Sequence, residues 1–219
     1  MRNLLALGLI AILPLTAACK TPIRWPFNAS NGSAAQPPAS PGQQEAAVAG
    51  LSTLRQLVTA QNYAALGFAS ADQAQHAQLG EPIGVYTIGL DALKKYSPSV
   101  KLADLLTDTH RWMYPVQVDQ RVTSSLYVTQ ASDGFRASVF GDAVVAKAVS
   151  SYRSEKNDIV IYVPAAKVYF VGRKTEGGTS LVPAFDDPKL NFKAGQAVAV
   201  GVAIAALQRA VSGYNGLPQ

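Results

Sequence analysis

Cysteine is the scarcest residue in the chain: Cys19 stands alone among 219 residues. A disulfide within the chain is therefore excluded, and an unpaired thiol is a liability in an oxidising compartment. Histidine is nearly as scarce, with only His76 and His110. Charged residues make up 15% of the chain, and the densest basic pairs are Lys94-Lys95 and Arg173-Lys174. A formal charge of +5 without Lys/Arg runs is no nucleic-acid signature. It reads as a solvated surface with weak attraction for anionic headgroups or envelope glycans. No apolar run reaches the roughly 20 residues that span a bilayer: Leu4–Leu15 and Ala197–Leu207 both fall short. There is no G-x-S-x-G nucleophile elbow. Glu176-Gly177-Gly178 lacks the lysine and the helix of a phosphate loop. No internal repeat stands out, although a meander, a helix and a second β block leave room for a duplication.

What is present begins at the N-terminus. Arg2 precedes the apolar run Leu4–Leu15, and Leu15-Thr16-Ala17-Ala18-Cys19 closes it. A positive residue, a short apolar run and small residues at its end form a secretory signal peptide. Ala17 and Ala18 directly before the cysteine resemble the lipobox of bacterial lipoproteins, with Thr16 where that family usually carries an aliphatic residue. The resemblance implies that residues 1–18 are cleaved and that Cys19, acylated with palmitate-type chains, becomes the first residue. The alternative is an ordinary signal peptide with a chance cysteine. Acylation would also dispose of the lone thiol. Each buried lipid methylene contributes roughly 0.8 kcal/mol, so several chains anchor firmly where one does not. Lys20, where a retention signal would be Asp, resembles lipoproteins sent to the outer membrane. The expected address is the cell envelope, at the outer membrane and facing the periplasm.

Residues 19–44 carry Pro22, Pro26, Pro37, Pro38 and Pro41 among Ser, Asn, Gly, Ala and Gln. Such a composition buries too little apolar surface to offset chain entropy, and predicts a flexible tether. Within it Ile23, Trp25 and Phe27 form an apolar island, which either lies at the headgroup level or packs on the domain. One domain is expected over 45–219, roughly 175 residues, a common size.

Ala47, Leu51, Leu54 and Val58 share one helical stripe. Ser70 and Gln73 form a capping-box pattern for a short helix that closes at Gly80, with His76 exposed on it. Pro82–Ile88 reads as a strand, and Asp91–Tyr96 and Lys101–Leu106 as short helical pieces. From Arg111 the period becomes two. Strands are expected over Tyr114–Val118, Val122–Thr129 and Phe135–Phe140, with turns at Asp119-Gln120-Arg121 and Ala131-Ser132-Asp133-Gly134. Asp142 is a suitable N-cap for a helix burying Val145, Val149 and Tyr152. Ile159–Val163, Val168–Arg173 and Ser180–Phe185 form a second β block, bent at Pro164-Ala165-Ala166 and turned at Glu176-Gly177-Gly178. Asp186-Asp187-Pro188 ends it. Gly195–Val211 is read as a buried final helix, with a strand as the alternative for its first half because Val198, Val200, Val202 and Ile204 alternate. The fold class is α+β, an antiparallel sheet with flanking helices.

Candidate chemistry is sparse. His110 and Asp108 assemble a Ser–His–Asp set only by borrowing an arbitrary serine. Asp104, Asp108 and His110 are the one group of ligand types at close spacing: Asp104 and Asp108 would share a helix face if the helix ran that far, and His110 could fold back, but transition-metal sites use three or four protein ligands and calcium loops are denser in carboxylates. The competing reading is that Asp108 turns the chain ahead of a strand. Asp186-Asp187 reads as turn chemistry. No cofactor is expected. Tyr86, Tyr96, Trp112, Tyr114, Tyr127, Tyr162, Tyr169 and Phe170 lie on or beside strands; as a set they read as core, and if some line an open sheet face they bind a peptide, a glycan or an apolar ligand.

Tyr127-Val128, Gly134-Phe135 and Gly141-Asp142 resemble the strand–turn–strand of small α+β modules in the propeptides of secreted bacterial proteases, which inhibit or chaperone a partner. No site residue comes with that resemblance. The chain otherwise resembles bacterial lipoproteins of uncharacterised activity, which implies no chemistry. The expected function is therefore a membrane-anchored, non-enzymatic envelope lipoprotein that binds a protein, peptide or glycan. The alternatives are a hydrolase or metal-dependent enzyme centred on His110, and a structural subunit of an envelope complex.

Overall fold

The computed structural model describes residues 39–175 and 178–213. The stretch read as a signal peptide, Cys19, the island Ile23, Trp25 and Phe27, and Glu176 and Gly177 of the expected hairpin turn lie outside them. In chain order the elements are α1 (Pro41–Leu57), α2 (Ala71–Gln75), β1 (Gln78–Leu79), β2 (Ile83–Ile88), α3 (Leu90–Lys95), α4 (Leu102–Leu105), β3 (Leu106–Val118), β4 (Arg121–Ala131), β5 (Gly134–Phe140), α5 (Ala143–Tyr152), β6 (Ile159–Val163), β7 (Val168–Thr175), β8 (Gly178–Pro183), β9 (Val198–Ala199) and α6 (Val200–Ala210). The α+β class holds: one sheet runs β5-β4-β3-β2-β6-β7-β8-β9, with β1 added on β3.

Four elements and one pairing depart from expectation, the longest extension being that of β3, which starts at Leu106 instead of Tyr114. The first helix starts at Pro41 instead of near Glu45, because Ser40 caps it by accepting from the Gln43 amide and Pro41 sets the first-turn φ. Gln43, expected in the tether, is buried. The helix after Ser70 ends at Gln75 and not at Gly80. Gln78 and Leu79 pair with Gln117 and Val116 of β3, and the Gly80 amide donates to the Pro115 carbonyl at 2.7 Å. A sheet ladder thus takes the backbone groups that a longer helix would have used. The last helix starts at Val200. Gly195 turns the chain at φ 75°, and Val198 and Ala199 pair with Leu181 and Ser180, so the strand alternative holds for two residues only. Finally, pairing is antiparallel throughout except between β2 and β6, which run parallel. The meander β3–β4–β5 and α5 together form the long crossover that a parallel neighbour requires.

The hairpin turn between β3 and β4 has left-handed backbone at Asp119 (φ 49°) and Gln120 (φ 63°). That matches the primed turn favoured between twisted strands. Side chains alternate across the sheet. On one face Trp112, Tyr114, Val116, Leu126 and Val128 meet α1 and α2. On the same face Ile88, Ile159, Ile161, Phe170 and Leu181 meet α3, α4 and α6. The Gln208 amide ties α6 to α3 by donating to the Leu93 and Tyr96 carbonyls at 2.9 and 3.3 Å. Among the described residues the opposite face, with Ile83, Val85, Met113, Tyr127, Val160 and Val171, is covered by α5 alone, through Val145, Ala146 and Val149. Among the described residues no helix is long and apolar enough to cross a membrane.

Candidate functional site

The histidine-centred candidates do not assemble. Asp104 sits on α4, whereas Asp108 and His110 belong to β3, which begins at Leu106. The single helix face that would have aligned Asp104 with Asp108 does not exist. Thr109 and His110 are extra residues in a bulge, since Tyr86 pairs with Asp108 and Val85 with Arg111. The bulge is held by Thr109 Oγ1, which donates to the Val85 carbonyl at 2.5 Å, and by the His110 amide, which donates to Asp108 Oδ1 at 2.7 Å. His110 adopts φ 52°, its ring is exposed, and its Nδ1 lies 3.9 Å from Asp108 Oδ2. Among the described residues no serine hydroxyl bonds to it, and no group of three or more His, Cys, Asp or Glu is placed to hold a metal ion. His76 is exposed at the end of α2. Asp186 and Asp187 act as turn residues: Asp187 Oδ1 accepts from the Lys189 and Leu190 amides and Asp186 Oδ1 from Ala194.

The eight strand-associated aromatics divide by face. Tyr114 and Phe170 are fully buried beneath helices, and Tyr86, Tyr96 and Trp112 pack half-buried on the same side. Tyr127, Tyr162 and Tyr169 lie on the other face, where α5 reaches only part of the sheet. The path of α5 is fixed at both ends. At its start the Ser125 hydroxyl donates to the Asp142 carbonyl, and the Gly141 amide to the Ser125 carbonyl. Just past its end, buried Asp158 accepts from the Ser154 and Glu155 amides and pairs with Arg173 Nε at 3.5 Å, while Arg173 Nη2 donates to the Tyr152 carbonyl. The helix therefore runs across the strands over Met113, Ile83 and Val171, with Tyr169 half-buried at the margin of that cluster and Tyr162 next to it.

At that open end the rings of Tyr162 and Tyr169 stack, with centroids 4.4 Å apart and planes 22° apart. Exposed Phe185 meets Tyr169 edge-on at 6.4 Å. Arg111 places its guanidinium over the Tyr127 ring, 4.8 Å from the centroid. Asp142 occupies the N-cap of α5 as expected, but its side chain makes no cap hydrogen bond. Its Oδ2 instead accepts from the Tyr127 hydroxyl at 3.4 Å. One row further, Arg136 of β5 pairs in register with Thr129, and Thr129 with Arg111, so the three share this face.

Burial, and then the Asp142 carboxylate, hold the Tyr127 hydroxyl proton well above the ordinary tyrosine range. Burial also raises Tyr169, with smaller contributions from Tyr162 and Asp142. Both hydroxyls are thus neutral groups able to donate and accept at any physiological pH. The arrangement offers π faces, neutral hydroxyls and guanidinium forks. It holds no paired nucleophile and base. Arg111, Arg136 and Phe185 escaped the sequence reading. The period-two alternation that puts Arg111 in phase with Met113 carried the signal for Arg111; nothing local marked which face would stay open.

No family model, no curated protein and no solved structure matches this chain. Its function rests on the site alone.

Proposed function

We propose that this chain is a lipid-anchored protein of the bacterial cell envelope that binds a protein, peptide or glycan partner and does not transform it. The observation that carries the binding role is the open end of the sheet. There, half-buried Tyr162 and Tyr169 and exposed Phe185 lie beside α5, next to half-buried Arg111 and exposed Arg136. Aromatic and arginine side chains that reach solvent together are the residue types enriched at interaction sites. The anchor reading rests on Arg2, the Leu4–Leu15 run and the small residues before Cys19. Membrane attachment passes through the acylated Cys19, and the open face is carried into the periplasm on the linking residues.

Two experiments test the two halves. Cys19→Ser should block processing or release the chain to the soluble fraction, whereas the native chain should stay with membranes in high salt and leave in detergent. A Cys19→Ser chain that remained membrane-bound in high salt would place the anchor elsewhere. For the face, the full chain in detergent should co-sediment with isolated cell-envelope material, and Tyr162→Ala with Tyr169→Ala should abolish this. Turnover on a hydrolase panel that disappears in His110→Ala would replace binding with catalysis.

A further inference from the structure

Resting on the open face as the binding surface, we propose that its ligand is an acidic glycan: its pyranose rings lie on the Tyr162–Tyr169–Phe185 platform and its carboxylates meet Arg111 and Arg136. The platform supplies the first reason. Two tyrosine rings stacked 4.4 Å apart and a phenylalanine edge-on at 6.4 Å form an apolar cluster that offers a ligand the outer faces and edges of the stack. Aromatic faces accept the C–H face of a sugar, and tyrosine hydroxyls exchange hydrogen bonds with its hydroxyls.

Charge supplies the second. Among the described residues neither Arg111 nor Arg136 makes a hydrogen bond or an ion pair; the one contact of this kind is that of Arg111 with the Tyr127 ring. They stand in one register row with Thr129 between them. Their backbones are therefore two strand spacings apart, roughly 9.5 Å. A planar guanidinium matches a carboxylate bidentately, so the pair calls for a ligand with more than one acid group. The nearby carboxylate, Asp142, forms no ion pair with either arginine and accepts from the Tyr127 hydroxyl at 3.4 Å.

The third reason separates a glycan from a peptide. The strands carrying Arg111, Tyr127, Tyr162 and Tyr169 are each paired on both sides. An extended peptide finds no free backbone ladder there, so strand addition is closed at the platform. Recognition falls to rings, hydroxyls and guanidinium groups.

The test is titration calorimetry of the full chain in detergent micelles with three probes: trigalacturonate, neutral maltotriose and triglutamate. Trigalacturonate should bind, more weakly as salt rises. Its affinity should fall roughly tenfold or more in Arg111→Gln, as expected for a charge-assisted hydrogen bond. It should fall similarly in Tyr162→Ala, and less in exposed Arg136→Gln, with native circular dichroism in all three. Arg111→Lys should recover only part of the loss, because it keeps charge and loses the fork. Absence of trigalacturonate binding overturns the inference, as does maltotriose binding equally well. Triglutamate binding as tightly, with the same response to the variants, makes the ligand a peptide and leaves the binding face standing. If none of the variants alters probe binding or envelope co-sedimentation, the binding face itself is wrong.

Discussion

The two faces of the sheet are built from the same strands and finished in opposite ways. One is roofed along its length by α1, α2, α3, α4 and α6 over two large apolar clusters. The other has, among the described residues, only α5, ten residues long, over a third cluster. β6 shows the contrast within five residues. Ile159, Ile161 and Val163 are buried on the roofed side and Val160 beneath α5, but Tyr162, outside the α5 cluster, is only half-buried. Where a helix covers both sides the strand is aliphatic; where cover ends the residue is amphipathic. The roofed face should hold the fold together, and the open face should tolerate change and carry recognition.

The largest test of that contrast compares one aromatic from each side. Phe170→Ala removes a fully buried ring that meets Phe192 edge-on, and should cost about 4 kcal/mol of stability. Tyr162→Ala should cost about 1 kcal/mol or less, since its ring is already partly hydrated. Urea denaturation of both variants reads the difference, and equal losses would erase the distinction between the faces. Next in size is Asp158→Asn, at the end of α5. It breaks a buried pair with Arg173 and weakens acceptance from two amides, so a loss of about 3 kcal/mol is expected. An effect near zero would mean that α5 is placed by Val145 and Val149 alone.

Trimming sharpens where the roofed face starts. Deleting residues 21–38 should leave the melting temperature nearly unchanged. Extending the deletion through Gln44 removes the Ser40 cap and buried Gln43, and should cost about 1–2 kcal/mol. Equal stability of the two deletions would put the onset of α1 nearer Glu45. The smallest effect is electrostatic. Burial, and then Asp108, push the Tyr86 pKa from 10.0 up to about 12. The unfolded chain therefore loses this proton first. The contribution of Tyr86 is complete below pH 10 and drains away as pH rises toward 12. Tyr86→Phe should flatten the alkaline fall in melting temperature over that window, and an unchanged slope would move the cause to other tyrosines.

Local chemistry made much of this fold legible. The stripe Ala47–Leu51–Leu54, the Ser70 cap and the bounds of β6 could be read directly, because period, cap and turn are written in residues close together. Residues farther apart were misread or left open. Gln78 and Leu79 carry no strand signal of their own and become β1 because β3 offers them a ladder. Asp104 and Asp108 looked like neighbours on a helix until the chain switched to β3 at Leu106. At the site, Tyr127, Tyr162 and Tyr169 were identifiable as strand aromatics, but their separation from Tyr114 and Phe170 was not.

The amino-acid sequence by itself determined the α+β class, most strands and turns, and the alternation that sorts each strand's side chains onto two sides. Tertiary structure alone decided that β2 and β6 lie side by side in parallel, that Arg111 and Arg136 share a row, and that Tyr162 falls outside the cluster under α5. The reason is range. Periodicity and capping act over a few residues, whereas strand order and helix cover come from contacts between segments far apart in the chain, whose partners no single stretch names.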